Sequence, residues 1–165
     1  MPCVAELIAC DLPDDAPQGY KLLPTGVGFN QLLGSVYGRL QDGRLMLGMR
    51  ISPRHHNPQR SCHGGAIATF ADMQAYVAQR ESGLMNNITP TVHISIDYLG
   101  PVSLGDWLEG DSTLLKATRN LLFCQTIAKV DERLVFRSSG IFKVGPISSF
   151  TGATLNDFFE LMEEK

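Results

Sequence analysis

The amino-acid sequence predicts an α+β fold in which a curved antiparallel sheet wraps around one long central helix. A hairpin signal comes first, one helical segment follows, and the remainder is a run of strand patterns without an internal repeat. The helical segment is apolar on nearly every face, so most of its surface needs cover. A chain of 165 residues lies in the size range of one hydrophobic core, which leaves no room for a second catalytic domain.

The two ends of the chain differ from its middle. Residues 1–28 mix a short apolar stretch with Asp, Pro and Gly, which predicts an N-terminal arm outside the core. Residues 29–165 are predicted to form one domain. Its last segment, residues 155–164, has the apolar spacing of a helix with Thr154 as its N-cap, and we expect it to pack on the edge of the sheet.

The sheet is predicted to begin with a hairpin. Asp42-Gly43 is a strong turn signal, and apolar residues flank it in strands over residues 37–40 and 44–51. Residues 53–62 are polar and contain two prolines, which predicts a loop.

The central helix is predicted from Gly64 to about Arg80, a segment without proline whose interior is almost entirely apolar. From Val92 to Tyr98, apolar and polar residues alternate, which is typical of a half-buried strand. A meander of long antiparallel strands then follows over residues 106–117, 121–130 and 134–144.

Composition narrows the function. The chain has 44% hydrophobic and 19% charged residues and a formal net charge of −3, which argues against a nucleic-acid protein and favours a small-molecule ligand. Its four cysteines form no C-x-x-C pair, as expected for a reducing cytoplasm. Neither a signal peptide nor a run of about 18 apolar residues occurs, so we expect no membrane span.

Chemistry-bearing residues concentrate where the polar loop enters the helix. Gly64 and Gly65 are poor helix residues, each about 1 kcal/mol less favourable than Ala in a helix interior. Lacking side chains, they let a ligand approach the unpaired N–H groups of the first turn, which outlines an oxyanion hole. Close packing of the helix start against a strand is an equally good interpretation of the glycine pair taken alone.

Asp72 favours the catalytic interpretation. A carboxylate two turns into an apolar helix costs several kcal/mol to bury unless it is paired or reaches a polar cavity. It would then act as a general base or a nucleophile. An exposed helix face, or an ion pair within the helix, is the structural alternative. Taken singly, His63 is more often a hydrogen-bonded structural residue and Asn57 a turn residue that bonds its own backbone.

Taken together, this segment resembles the PaaI-like acyl-CoA thioesterases of the hotdog-fold superfamily. Their signature is an Asn, then His-Gly-Gly opening the central helix, then an acidic residue further along it. The resemblance covers about residues 30–144. Thr91, Tyr98 and Pro101 also fall where that family has a small hydroxyl residue and an aromatic-x-x-Pro strand end.

The resemblance implies hydrolysis of acyl-CoA in a homodimer, with a dimer of dimers also open. Asn57 and the Gly65 N–H of one subunit would polarise the thioester carbonyl, with His63 orienting the loop. Asp72 of the other subunit would attack or activate water, which Thr91 positions. No cofactor or metal is implied, because coenzyme A is part of the substrate.

Coenzyme A phosphates need cationic or amide donors. Arg60 stands where many relatives have Gly, so the loop is expected to turn differently, and its guanidinium could meet the phosphates. The other candidates for substrate or CoA binding are Gly64, Tyr98, Gly100, Pro101, Lys116, Arg119, Asn120 and Lys143. Apolar lining for an aromatic or medium-chain acyl group is expected from Phe70, Met73, Tyr76 and Phe123.

Other functions fit less well. His55, His56, Cys62 and His63 include favoured zinc ligands but crowd into nine residues. Cys62 as a nucleophile with His63 as its base needs adjacent side chains to converge. A hydratase of the same fold would need a catalytic His together with an acidic residue in a different local pattern. A non-catalytic acyl-CoA binding or regulatory hotdog protein remains the alternative from another class.

Overall fold

The computed structural model describes residues 16–24, 28–150, 152 and 154–163. Within them, no helix is long and apolar enough to cross a membrane. The strands are β1 (Lys21–Leu22), β2 (Tyr37–Gln41), β3 (Arg44–Arg50), β4 (Thr91–Tyr98), β5 (Trp107–Ala117), β6 (Leu121–Val130) and β7 (Arg133–Lys143). The α-helices are α1 (Phe29–Leu33), α2 (Gly64–Asp72), α3 (Ala75–Glu81) and α4 (Leu155–Glu163), and Pro53–His55 forms a 3₁₀ turn.

The described strands form one antiparallel sheet of seven in the order β1-β2-β3-β5-β6-β7-β4. Burial alternates along the long strands, so that Leu108 on β5, Leu122 on β6 and Phe136 on β7 are fully buried on the inner face. Phe70 of α2 and Val77 of α3 are fully buried as well. The predicted wrap of an antiparallel sheet around a central helical segment is confirmed.

The predicted hairpin is confirmed. Its strands are β2 and β3, and their register pairs Gln41 with Arg44. Asp42 and Gly43 have φ values of 51° and 77°, which is the left-handed pair that a two-residue hairpin turn requires. The three meander strands lie within one residue of their predicted limits.

Residues 1–28 were expected to lie outside the core, and this expectation is wrong for residues 21–23. Lys21–Leu22 pairs with β2 as an extra edge strand, and Leu23 is 2% exposed in the main core. A strand of two residues has no periodicity that a sequence pattern could reveal. Residues 1–15 and 25–27 lie outside the described residues, so the division of the chain at residue 28 stays a prediction.

The helix predicted from Gly64 to about Arg80 is present, but it is divided by a break between α2 and α3 that the sequence did not predict. Here the Gln74 N–H bonds the Ala71 carbonyl and the Tyr76 N–H bonds the Met73 carbonyl, which is the tighter 3₁₀ pattern. The Gln74 side chain is 1% exposed, and its Oε1 accepts a hydrogen bond of 2.6 Å from Ser112 Oγ.

Helix α4 matches its predicted position. Thr154 and Asp157 bond each other reciprocally, so Thr154 serves as the predicted N-cap. These bonds lower the pKa of the exposed Asp157 carboxyl. Phe158 packs so closely on β2 that a Cβ added at Gly38 would lie 2.7 Å from its ring. The tail therefore covers the inner face of the sheet next to the β1 edge.

We predict that the Gln74–Ser112 bond stabilises the helix break. Gln74→Met should lower the free energy of unfolding by about 1–3 kcal/mol, because it leaves a buried hydroxyl with one partner fewer. In a double-mutant cycle with Ser112→Ala, measured by denaturant unfolding, the coupling should reach about 0.5–3 kcal/mol. The matched control is Gln125→Met on the exposed side of β6, which should change stability by at most about 0.5 kcal/mol. A coupling near zero would contradict this role.

Candidate active site

The loop before α2 is organised by Asn57. Its Oδ1 accepts hydrogen bonds from the N–H groups of Gln59 (2.9 Å) and Ser61 (3.2 Å), and its Nδ2 donates to Ser61 Oγ at 2.8 Å. A bridge between His56 and Cys62 closes the loop. Asn57 therefore has the turn-forming role that is typical of a single Asn, and one N–H of its side-chain amide is engaged within the loop.

Arg60 adopts a backbone conformation that disfavours it. Its φ is 62°, in the left-handed region where glycine is the favoured residue. The side chain is exposed at the surface of the loop.

The start of α2 is capped by its own histidine. The Gly65 N–H donates to His63 Nδ1 at 2.8 Å, and both residues are exposed. The proposed oxyanion donor is therefore held by an imidazole in this conformation. A Cβ added at Gly65 would lie 3.0 Å from the same Nδ1, so the missing side chain lets the ring approach.

Gly64 has a packing partner on β4. The Tyr98 hydroxyl donates to the Gly64 carbonyl at 3.0 Å, and the Tyr98 ring would meet a Cβ at Gly64 at 3.6 Å. The helix start thus packs against a strand at Gly64, but a Cβ at this distance would make an ordinary van der Waals contact, so this packing does not by itself require glycine. The phenol of Tyr98 faces the helix start in this arrangement.

Asp72 meets Thr91, as the resemblance implies. Thr91 Oγ1 donates to Asp72 Oδ1 at 2.6 Å, and Asp72 is half-buried. An ion pair with Arg80 is absent from the described contacts, because Arg80 donates to the Gly43 carbonyl at 2.7 Å and lies over the Phe159 ring. The carboxylate instead faces a cavity.

This cavity, of about 450 Å³, lies between α3, the loop before β4 and the C-terminal segment. Met73 and Tyr76 line it as expected. Burial and the charge of Asp72 raise the pKa of the Tyr76 hydroxyl. The expectation is wrong for Phe70, which is fully buried in the core, and for Phe123, which alternates with the inward-facing residues of β6. The other lining residues are Pro24, Asn30, Asp72, Ala75, Gln79, Met85, Asn86, Asn87, Ile88, Thr89, Thr91, Ile147, Ser148, Phe150, Thr154 and Leu155.

The helix start and Asp72 do not form one site within the chain. Gly65 and Asp72 are separated by about 10 Å along the helix axis, at about 1.5 Å per residue. They contact opposite ends of β4, because Tyr98 touches the helix start and Thr91 touches Asp72. A carbonyl bound at the Gly65 N–H is therefore out of direct reach of Asp72 in the same copy.

The candidate residues for CoA binding also divide between the two ends of β4. Gly100 and Pro101 lie beside Tyr98, where the Gly100 N–H bonds the Val135 carbonyl at 3.2 Å and Arg133 donates to the Pro101 carbonyl. At the other end, near Thr91, an exposed cationic corner is formed by the β5–β6 turn and the end of β7. Its residues are Lys116, Arg119, Asn120 and Lys143.

The alternative cysteine and zinc chemistries find no support in the geometry. Burial raises the pKa of the Cys62 thiol to about 11, so a nucleophilic thiolate is disfavoured. His55 is buried, with Nδ1 accepting from the Ser52 N–H at 3.0 Å and Nε2 within 2.5 Å of the Leu33 carbonyl oxygen. Both ring nitrogens are thereby engaged in structural contacts.

Sequence reasoning missed two parts of this region. Gln74 and its hydroxyl partner Ser112 fix the helix break, and the only sequence signal for them was a polar side chain in an apolar helix. The cavity wall from Ile147 to Leu155 is distant in sequence from Asp72, and no local pattern indicates it.

Comparison with known proteins identifies the family. The family model described as Thioesterase superfamily matches residues 59–136. A candidate esterase of Pseudomonas aeruginosa, PA0474, is 30% identical over 129 residues, which cover 78% of this chain and 96% of that protein. The chain belongs to the thioesterase superfamily. The predicted resemblance is thereby confirmed at the level of the thioesterase superfamily.

Solved structures of this superfamily share the fold. The PaaI protein of Escherichia coli is 21% identical, with a TM-score of 0.59 over 68% of this chain and 85% of that one. A hypothetical thioesterase of Streptococcus pneumoniae, whose structure includes coenzyme A, is 18% identical, with a TM-score of 0.58 over 81% of this chain and 95% of that one. At these identities the likeness establishes the hotdog fold.

We predict that Arg60→Gly stabilises the protein. The change removes the steric cost of a left-handed backbone at a residue with a Cβ, but glycine loses more conformational entropy on folding. The difference should raise the free energy of unfolding by about 0.5–1 kcal/mol. Gln59→Gly is the matched control in the same turn, where φ is not left-handed, and it should destabilise by a similar amount. Denaturant unfolding measures both. Equal destabilisation by the two changes would contradict the strain at Arg60.

Proposed function

We propose that this thioesterase hydrolyses acyl-CoA to the free acid and CoA, in sites that two copies of the chain share. Asp72 and Thr91 of one copy would face the Gly65 N–H, Asn57 and His63 of the other. The observation that carries this proposal is the Asp72 carboxylate, which Thr91 holds at the cavity while it lacks a described cationic partner. A half-buried carboxylate at a cavity, with a hydroxyl partner and without a described cation, is typical of a functional site.

The contact between Thr91 and Asp72 suits an attack by water. The Thr91 hydroxyl donates a hydrogen bond to the carboxylate and keeps lone pairs that can accept a hydrogen bond from water. This water would add to the thioester carbonyl carbon while Asp72 takes its proton. Collapse of the intermediate expels the CoA thiolate, which recovers that proton from Asp72. Direct attack by the carboxylate, followed by hydrolysis of the anhydride, gives the same products.

Stabilisation of the oxyanion requires a change at the helix start. The Gly65 N–H bonds His63 Nδ1, so the thioester oxygen must replace the imidazole as its acceptor. The positive end of the helix dipole favours an oxygen that gains negative charge over a neutral nitrogen. His63 would thus cap the empty site and move aside as the intermediate forms. The second candidate function is a non-catalytic binding protein, in which His63 would keep capping the helix start.

The exposed edge of the sheet supports the sharing of sites. β4 pairs with β7 on one side, and its apolar residues Val92 and Tyr98 are 58% and 53% exposed. A long unpaired edge strand with apolar side chains tends to pair with another strand. If two copies join by antiparallel pairing of β4, the Tyr98 end of one meets the Thr91 end of the other. That pairing brings each helix start to the partner's acidic residue.

The same pairing would assemble a site for the CoA phosphates. The cationic corner at Lys116, Arg119 and Lys143 lies at the Thr91 end, and Arg60 lies in the loop before the helix start. Across the interface, the cationic corner of one copy and Arg60 of the other would border the same thioester site. They would lie closer together there than they do within a single chain. Coenzyme A in the pneumococcal structure shows that this fold can hold the molecule.

We predict that purified protein releases free thiol from acyl-CoA and that Asp72→Asn lowers kcat at least about 100-fold. Asparagine keeps the shape but cannot take the proton or form an anhydride. The matched control is Asp111→Asn on the outer side of β5, which should keep full activity. Binding of a non-hydrolysable thioether analogue should persist in Asp72→Asn. Binding without turnover by the wild type would establish the non-catalytic alternative instead.

We predict that Ser95→Lys, near the middle of β4, dissociates the dimer and abolishes activity together with it. Twofold antiparallel pairing would set two lysines opposite each other, and like charges there are destabilising. Ser139→Lys is the matched control, because Ser139 lies directly beside Ser95 on the interior strand β7. Sedimentation and thiol release measure both variants. A fully active Ser95→Lys monomer would refute the shared site.

A further inference from the structure

The open edge of β4 presents its backbone at every second residue. The Leu99 N–H, directly after the strand, bonds the Val135 carbonyl of β7 at 2.8 Å. Bonded and non-bonded positions alternate along antiparallel strands, so Ser95 and Asp97 also turn their backbone groups towards β7. The N–H and C=O groups of the even-numbered residues of β4 therefore point to the open edge.

A second copy of β4 would pair through those same backbone groups. In antiparallel pairing, an even-numbered residue must then face an even-numbered residue of the other copy, so odd-numbered residues also face each other. This keeps the two outer faces on one side of the joined sheet and the two inner faces on the other. The twofold axis could pass through any residue of the strand, and the side chains decide which one.

The outer side of β4 carries one base and one acid. His93 and Asp97 are exposed, with Ser95 midway between them. Arg137 Nε donates to Asp97 Oδ2 at 2.6 Å, whereas Oδ1 of that carboxylate has no partner in the part of the chain that the structure describes. The His93 imidazole has no described partner either, and it presents an N–H donor in both charge states. At about 3.3 Å per residue, the two lie about 13 Å apart along the strand and cannot meet within one copy.

The inner side of β4 is apolar from one end to the other. Ile94 and Ile96 are partly buried against the core, whereas Val92 and Tyr98 are 58% and 53% exposed. An axis through Ser95 would set Val92 opposite the partner's Tyr98. The same axis would set Ile94 opposite the partner's Ile96. Each apolar side chain of this face would then meet another, which covers both exposed ends.

Other positions of the axis fit the charges less well. An axis through Asp97 would bring two carboxylates face to face, and an axis through His93 would do the same with two imidazoles. An axis through either of the isoleucines between them would leave both residues opposite uncharged ones. An axis through Ser95 sets His93 opposite the partner's Asp97, and the symmetry makes this contact twice.

We infer that two copies of β4 pair about a twofold axis through Ser95, held in register by His93 and the partner's Asp97. The inference rests on the proposed function, whose shared site needs such a pair of copies, and it adds the register and the contact that fixes it. Arg137 already holds the Asp97 carboxylate in each copy, so the acceptor is positioned before the second copy arrives.

This register would determine how the two halves of the shared site meet. Tyr98 touches the helix start, and it would lie opposite the partner's Val92, directly beside the partner's Thr91, which holds Asp72. Moving the axis by one residue would shift this match by two residues, or about 7 Å. A pair of copies in another register would therefore separate the carboxylate from the oxyanion donors of the other copy.

Disulfide cross-linking locates the axis. Facing residues of a non-hydrogen-bonded pair have Cα atoms about 4.5 Å apart, within the range of about 4.4–6.8 Å that a disulfide spans. In a Cys3→Ser, Cys10→Ser background, whose remaining cysteines are buried, Ser95→Cys should cross-link the dimer under mild oxidation. His93→Cys should cross-link at least about tenfold less, because its two copies would lie about 13 Å apart. Ser139→Cys, beside Ser95 on β7, is the matched control and should not cross-link.

Exchange of the two charged residues tests the contact itself. His93→Asp would face two pairs of carboxylates, and Asp97→His would remove the acceptor, so each change should raise the dissociation constant of the dimer at least about fivefold in sedimentation. The double variant His93→Asp, Asp97→His should return it to within about twofold of the wild type. If Asp97 acted only through Arg137 of its own chain, the double variant would stay as weak as Asp97→His, and the inference would be overturned.

The outcomes separate this inference from the proposed function. A wild-type dimer that cross-links better through His93→Cys than through Ser95→Cys would show that the register is wrong, while the shared site would stand. A wild type that sediments as a monomer would remove the shared site and the inference together.

Discussion

The packing of α2 against β4 is the constraint on which the functional region depends. Two contacts define it: Tyr98 holds the helix start through the Gly64 carbonyl, and Thr91 holds Asp72. A helix rich in apolar residues needs cover, and the sheet supplies it up to β4. Because β4 is also the open edge, the same strand positions both chemical groups and offers the surface for a second copy.

The helix break matters because it comes directly after Asp72. Gln74 is fixed to Ser112 on β5, and Ser112 in turn bonds Thr126 on β6 at 2.8 Å. Gly110 leaves the space for this amide, since a Cβ there would lie 2.8 Å from Gln74 Nε2. The break therefore anchors the helix to two neighbouring strands. It ends α2 at the carboxylate and starts α3 beside the cavity.

The sequence predicted those features that depend on neighbouring residues. Alternation identified β4, and Asp42-Gly43 identified the hairpin, because both signals are local. The helix break was missed because its cause, the Gln74–Ser112 bond, joins residues 38 positions apart. Strand β1 was missed because two residues show no period. The meeting of Asp72 with Thr91 was expected from the resemblance alone, since nothing in the spacing of the two residues specifies a contact.

Residues that break local rules separate into two groups once the contacts are known. Gln74 and Asn57 are explained by partners within the chain, as a buried network and a turn. Arg60 and Asp72 keep a local cost: Arg60 has a left-handed backbone, and Asp72, although it accepts a hydrogen bond from Thr91, is a half-buried carboxylate without a described cation. Violations that the fold does not need are expected where function needs them. These two residues would border one site only when a second copy completes it, so their local cost is the physical argument for a shared active site.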